Sequence, residues 1–522
     1  MASLWPKFFS LCKSRLSAIA RSCFLGRERA LAAIKKLKQQ IVEITEKAKQ
    51  TQANVERLEA ENRRLQESLR EAQAKSAQAT HTPPVNLPIG EVPPGQQFGA
   101  GMTMLCVNLA RKIGLRPTVA ALDVFFAWLN VSPDVPTYQS IRGWMQRIGL
   151  DRMQNVEKTK GGVWLTDHTN QIGKEKVLTI MRVREWKPGA ALRLEDVDIL
   201  TLTPGESWKR EDVAKAYQAT AERCGVPRAV EMDGAVELRE PVETLGKPGE
   251  KPLALRDPKH FLANQLESLL NQDPQWEAFT KQLGGTRSAL QQTELAHFIP
   301  PSFKIKARFM NLAPTLHWAS TVLWHLAHAE SQSRQGVTHE RMRAKLGWLE
   351  EFALNIAQWQ ECQTVISTAL TLLNTQGIFH GVTDRFRECV AGEARCEMSQ
   401  ELVARTTKFL GEHEAKLQPG ERLPMSTEIV ESAFGKFKQL ERQHARGGFT
   451  GLLLTFPVLL RETTSEEVGE SFARVKVADV KAWEKKHLPH TLTARRQRMF
   501  REANPKAKSK TKKSATPLAS AA

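Results

Sequence analysis

Between Ile34 and Ala72 apolar residues keep a seven-residue register, and no other feature constrains so tightly what the chain can fold into. Ile34, Ile41, Ala48, Val55, Asn62 and Leu69 occupy position a, and Leu37, Ile44, Thr51, Leu58, Leu65 and Ala72 occupy position d. A seam sustained over about five heptads predicts a coiled coil, and β-branched residues at a with leucine at d favour two parallel strands. A lone Asn at an a position is best tolerated when it meets its twin, and so sets the register. Residues 30–76 are therefore read as a dimeric coiled coil, which makes a homodimer the expected assembly.

Charge separates the ends from the body. The chain of 522 residues has 75 Lys and Arg against 57 Asp and Glu, a formal charge of +18. The surplus sits at the two ends: residues 1–38 contain Glu28 as their only acid, and residues 485–513 only Glu502. Basic arms of this kind either solubilise a chain or bind a polyanion, where each neutralised phosphate releases counterions. Residues 1–29 form a basic amphipathic arm, and the C-terminal segment 466–522 ends in a basic tail with Arg495, Arg496, Lys512 and Lys513 as candidate contacts. Seven scattered cysteines without a CxxC pair argue for a reducing compartment and against a zinc site or disulfide framework, so a cytoplasmic location is expected. No apolar run approaches the roughly 18 residues a membrane helix needs, and no membrane partner is expected.

Prolines and glycines make residues 77–100 a linker. Residues 101–150 read as three short helices: 104–113, 118–129, and a third opened by Pro136 and closed by Gly149. The third puts Ile141, Trp144, Met145 and Ile148 on one stripe and leaves Gln139 and Arg142 off it. That pattern suits a helix-turn-helix-like DNA-binding domain, with Gln139 and Arg142 facing DNA, and equally a plain helical bundle. From Gly161 the period becomes that of strands, in GVWLTD, KVLTIMRVRE and VDILTLT, then RAVEMDG and PLALRD beyond a helix at 208–224. A mixed sheet under helical cover is expected, its first part spanning 155–284. Residues 285–416 read as an all-helical insertion, with His317, Trp318, Trp324, His325 and His328 in its core. The second part, 417–465, holds an amphipathic helix at 427–443 and the apolar run GLLLTFPVLL.

Asp167 follows VWLT and Asp233 follows AVEM, each at the expected end of a strand. Carboxylates at adjacent strand ends can converge on hard divalent cations, and two such ions about 3.5–4 Å apart serve phosphoryl transfer. Aspartate also ends strands and caps helices without any chemistry, so a third carboxylate is needed. The segment STEIVESAFGKFKQLE offers Glu428 and Glu431. Its apolar stripe, Ile429, Val430, Ala433, Phe434, Phe437 and Leu440, leaves Glu431 at the border towards the strand ends and Glu428 towards solvent, with Lys438 along the edge of Glu431.

An Asp after a first strand, an Asp-Gly after a fourth, a helical insertion, and VESAFGKFK followed by GGFTGLLL resemble the catalytic domain of the DDE transposases of bacterial insertion sequences. The long interval before the Glu resembles members with an all-helical insertion, hobo/Activator-type elements among them. The resemblance covers roughly residues 155–460. It implies a mixed multi-domain chain: an α/β ribonuclease H-like catalytic domain interrupted by an all-α insertion, behind the coiled coil and the small helical domain. It implies a DNA transposase that cleaves element ends and transfers strands into target DNA. Asp167, Asp233 and Glu431 would then be the catalytic, metal-binding triad, holding two Mg²⁺ ions for which Mn²⁺ can substitute. Double-stranded DNA would be the partner, touched by Gln139, Arg142, Lys438, Arg495, Arg496, Lys512 and Lys513, with no small-molecule substrate and a place at the nucleoid. His168 would orient a phosphate or water beside Asp167, or else be buried against backbone. Asp257 and His260 would form a second layer behind the metal, or else Asp257 merely caps a helix. The rival from another class is a non-catalytic, domesticated DNA-binding architectural or regulatory protein on the same fold.

Overall fold

The computed structural model describes residues 38–42, 45–46, 52, 55, 57–68, 92, 96–170, 175–247, 249–302, 309, 312–328, 337–443 and 449–503. The basic arm at 1–29 and the tail residues Lys512 and Lys513 lie outside the described residues. The chain divides into two units, Met1–Asn86 with Val124–Pro133, and Leu87–Asp123 with Asp134–Ala522. In the first unit residues 57–68 are helical, and the d-position residues Leu58 and Leu65 are 55% and 62% exposed on the single chain.

The second unit is built on a mixed five-stranded sheet. Strands β1 (Val163–Asn170), β2 (Lys176–Val183), β3 (Val197–Gly205), β4 (Ala229–Met232) and β5 (Leu253–Arg256) lie in the order β3-β2-β1-β4-β5. The first three pair antiparallel as a meander, and β4 and β5 continue the sheet in parallel with β1. Alternation along the strands separates the two faces. Trp164, Leu178, Ile180, Val230 and Met232 look into a core closed by helices α4 (Arg210–Cys224) and α5 (Val236–Glu243). The opposite face carries Leu165, Asp167 and Glu231.

Before the sheet come α1 (Ala100–Ile113), α2 (Leu115–Trp128) and α3 (Tyr138–Gln154). The third helix runs through Gly149 rather than ending there. Gly149 is a close-contact residue, because a Cβ on it would collide with the Leu454 carbonyl. The last turns of α3 are buried by the C-terminal helices. Arg147 donates to the Val475 and Phe472 carbonyls, Arg152 to Glu467, and Asp151 accepts from Ser471 and Arg474. The first turns of α3, with Gln139 and Arg142, are less covered than its middle.

Helix α6 (Pro258–Leu270) follows β5, and a second Asp-Pro step, Asp273 to Pro274, starts α7 (Pro274–Leu290). Trp276 and Phe279 of α7 pack with Trp348, Phe352 and Trp359, so the helical block begins at α7 and the expected start at 285 falls inside that helix. The block continues through α8 (Ala313–Ala327), α9 (His339–Leu346), α10 (Ala353–Gln376), α11 (Val382–Val390) and α12 (Glu397–Glu414). It is not wholly helical, because β6 (Ile378–Phe379) pairs antiparallel with β7 (Arg422–Leu423) where the chain leaves it. Trp324, expected in its core, is 51% exposed and stacks on His328.

The chain then forms α13 (Glu428–Arg442), which packs on β1, and the buried run 451–460 ending in α14 (Phe456–Leu460). The last helices are α15 (Ser465–Arg474), α16 (Val477–His487) and α17 (Leu492–Ala503). No described helix is long and apolar enough to cross a membrane.

Candidate active site

The candidate site lies where the antiparallel and parallel halves of the sheet meet. Leu165 is in register with Glu231, so two further residues along each parallel strand bring Asp167 level with Asp233. Met232 is in register with Arg256, which brings Asp233 level with Asp257. With strands about 4.8 Å apart, three aspartates stand side by side, Asp167 within β1 and Asp233 and Asp257 just past the ends of β4 and β5. The turn after β4 requires glycine: Gly234 has φ +92°, and a Cβ there would press on Arg256.

Asp167 Oδ1 accepts from the His168 N–H at 2.6 Å and Asp233 Oδ1 from the Ala235 N–H at 2.8 Å. Among the described residues, the second oxygen of each is uncommitted. Burial pushes the Asp167 carboxyl up to about 7; Asp233 and Glu431 push the same way, against the His168 N–H and His260. Asp257, fully buried, does two jobs. Its Oδ2 accepts the His260 N–H as the cap of α6 and pairs with His260 Nδ1 at 2.6 Å, and its Oδ1 accepts the Thr427 N–H at 3.1 Å. Burial opposes charge on both partners, yet their pairing holds Asp257 below and His260 above the usual range, with Asp233 and Asp167 adding to the histidine's shift.

Helix α13 buries Ile429, Val430, Ala433, Phe434, Phe437 and Leu440, the stripe read from the sequence. Its two acids are about equally exposed, and both have partners. Glu428 accepts from Asn374 Nδ2 at 2.8 Å and lies 3.6 Å from Lys259 Nζ. Glu431 is bound to the same lysine at 2.8 Å. Accordingly, no group of three His, Cys, Asp or Glu side chains among the described residues stands in a metal-holding arrangement. Glu431 is near enough for Asp167 to feel its charge, but its carboxylate is engaged by Lys259.

His168 falls on the other face of the sheet from Asp167, because β1 continues to Asn170 and successive side chains alternate. Its ring stacks on Trp208 with centroids 6.0 Å apart, and burial depresses its pKa. Gln139 and Arg142 line a cleft of about 970 Å³ with Arg116, Tyr138, Lys481 and Lys485. Lys438 is half-buried on α13. Arg495 is ion-paired with Glu206, while Arg496 is exposed.

Two residues escaped the sequence reading, and each had a signal. Lys259 sits in the first turn of α6, where a cation opposes the helix dipole and so calls for nearby carboxylates. Glu231 interrupts a strand in which every residue is buried, and a charged residue there demands a partner.

No family model matches the sequence, and no curated protein matches it. Among solved structures, one similar chain comes from the Drosophila P element transposase strand transfer complex. Its TM-score is 0.35 at 10% identity, covering 78% of this chain and 100% of that one. The likeness is weak.

Proposed function

We propose that the chain is a metal-dependent DNA transposase of the DDE type, from a bacterial insertion sequence, working as a homodimer through its coiled coil. The observation that carries the reading is the register of β1 on β4, which brings Asp167 and Asp233 level on the face that α13 covers. Ligands of open α/β sheets gather at such a place, outside the carboxyl ends of strands where the topology switches. The sheet order and the helical block between β5 and α13 support the ribonuclease H-like fold that the resemblance implies.

The donor set suits hard divalent cations: two neighbouring carboxylates, each with an uncommitted oxygen, one of them with its pKa raised by burial. Mg²⁺ or Mn²⁺ bound there would supply Lewis-acid activation of the attacking oxygen and stabilisation of the leaving one. Asp167 and Asp233 would hold the ions, and Glu431 would join them on leaving Lys259. His260, oriented through Nδ1 by Asp257 and with its pKa raised by its acidic neighbours, would hold a DNA phosphate beside them. The first turns of α3 and the basic C-terminal helix and tail would carry the DNA.

A second reading, the non-catalytic DNA-binding regulator, is favoured by the Lys259–Glu431 ion pair. Strand-transfer assays with Mg²⁺ and the inverted repeats expected beside the gene separate the two. A transposase nicks and joins; a regulator binds and does neither. Asp167→Asn, Asp233→Asn and Glu431→Gln should each keep DNA binding and lose cleavage by orders of magnitude, while Glu428→Gln stays active. Cleavage by Glu431→Gln at the native rate would overturn the triad.

A further inference from the structure

The helix that carries Glu431 has one local cap, Ser426 Oγ, which accepts the Glu428 N–H at 3.3 Å. The Thr427 side chain, at the N-cap of α13, accepts no hydrogen bond from the helix. Ser426 and Thr427 are buried, so their N–H groups cannot turn to water. Carboxylates of the sheet receive them instead. Glu231 Oε2 accepts the Ser426 N–H at 3.0 Å, and Asp257 Oδ1 accepts that of Thr427.

Asp257 is already explained by His260 and the cap of α6. Glu231 is not. It is wholly buried, and its Oε1 has no hydrogen-bond partner. A buried acid with an unmatched oxygen costs stability relative to an apolar residue of its size. Folding alone therefore gives no reason for it, but position does. Glu231 lies two residues before Asp233 on the same face of β4, level with Leu165 of β1 and Leu255 of β5, directly beneath the aspartate row.

We propose that Glu231 is a positioning residue: through the Ser426 N–H it ties the start of α13 to β4, and thereby sets the reach of Glu431 towards Asp167 and Asp233. The tie stands on geometry alone; what the reach achieves rests on the transposase reading. Residues 257–427 intervene between β5 and α13, so chain continuity does not hold the start of the helix to the sheet. One hydrogen bond from a central strand, beside the bond from Asp257, does so.

Hydrogen exchange on the full chain tests the tie, and calorimetric titration with Mn²⁺ tests its purpose. Glu231→Gln keeps an acceptor oxygen, and its backbone at 425–431 should exchange as in the native chain. Glu231→Met deletes the acceptor, so exchange there should rise roughly tenfold, as for the loss of one hydrogen bond. Its melting temperature should stay within a few degrees of the native value, and Mn²⁺ binding should weaken by a similar factor in the Met variant only. Should Glu231→Met fail to fold, Glu231→Leu removes the acceptor as well and must show the same rise at 425–431. Unchanged exchange in these variants overturns the tie, whatever the chain's activity. Raised exchange with native Mn²⁺ affinity overturns the positioning role. Raised exchange in a chain whose native form binds no Mn²⁺ upholds the tie and removes the transposase reading.

Discussion

Lys259 Nζ lies 2.8 Å from Glu431 Oε2 and 3.6 Å from Glu428 Oε1, so a single lysine at the start of α6 holds both acids in the first turn of α13. Hydrogen bonding to Glu431 raises the lysine's pKa in spite of burial, which alone would lower it. This ammonium is the nearest positive charge bonded to Glu431, and a divalent cation would have to displace it.

Replacing Lys259 with Met should therefore release Glu431 and tighten Mn²⁺ binding. Pairs of this exposure are worth about 0.2–1 kcal/mol, so the gain should be roughly 1.5- to fivefold by calorimetry. Weaker Mn²⁺ binding by the variant would mean that Lys259 instead holds Glu431 in its working place.

The Asp167 carboxyl, raised by burial from 3.8 to about 7, holds a proton in the folded chain across a range where the unfolded chain has released it. Its contribution to stability is thus greatest below about pH 4 and is lost as pH rises towards 7. Without divalent cations, the melting temperature of the native chain should fall more between pH 5 and 7 than that of Asp167→Asn. Added Mn²⁺ should stabilise the native chain more at pH 7 than at pH 5, because the ion needs the ionised form. Identical pH profiles for the two proteins would refute the assignment.

Leu58 and Leu65 are exposed on the single chain and both fall at d positions. Cysteine at position 58 should form disulfide-linked dimers at low protein concentration, and sedimentation of the intact chain should give a dimer. A monomer would dismiss the coiled-coil pairing.

Deleting residues 503–522 removes Lys506, Lys508, Lys510, Lys512 and Lys513, and should weaken binding to every DNA sequence while flattening the salt dependence. Arg142→Ala, in the first turns of α3, should change sequence preference with little effect on that slope. Filter binding at several salt concentrations checks both. A tail deletion that abolishes preference but spares nonspecific affinity would reverse the two roles.

What the sequence determined by itself was local and periodic. Alternation in VWLTD and AVEMD defined strands, Asp-Gly marked the turn that needs the positive φ of Gly234, and the stripe from Ile429 to Leu440 drew the buried side of α13. These follow from backbone periods of 2 and 3.6, which any short window displays. Tertiary structure alone decided what depends on elements far apart in the chain. Gly149 read as a helix end until the Leu454 carbonyl explained it as a contact, and His168 changed faces because β1 ran on to Asn170. Glu428 looked free until Asn374 and Lys259 reached it, and Glu231 looked like an ordinary strand residue until Ser426 returned from beyond the helical block. The partners of a buried charge are set by packing across the whole chain, and no local period carries that information.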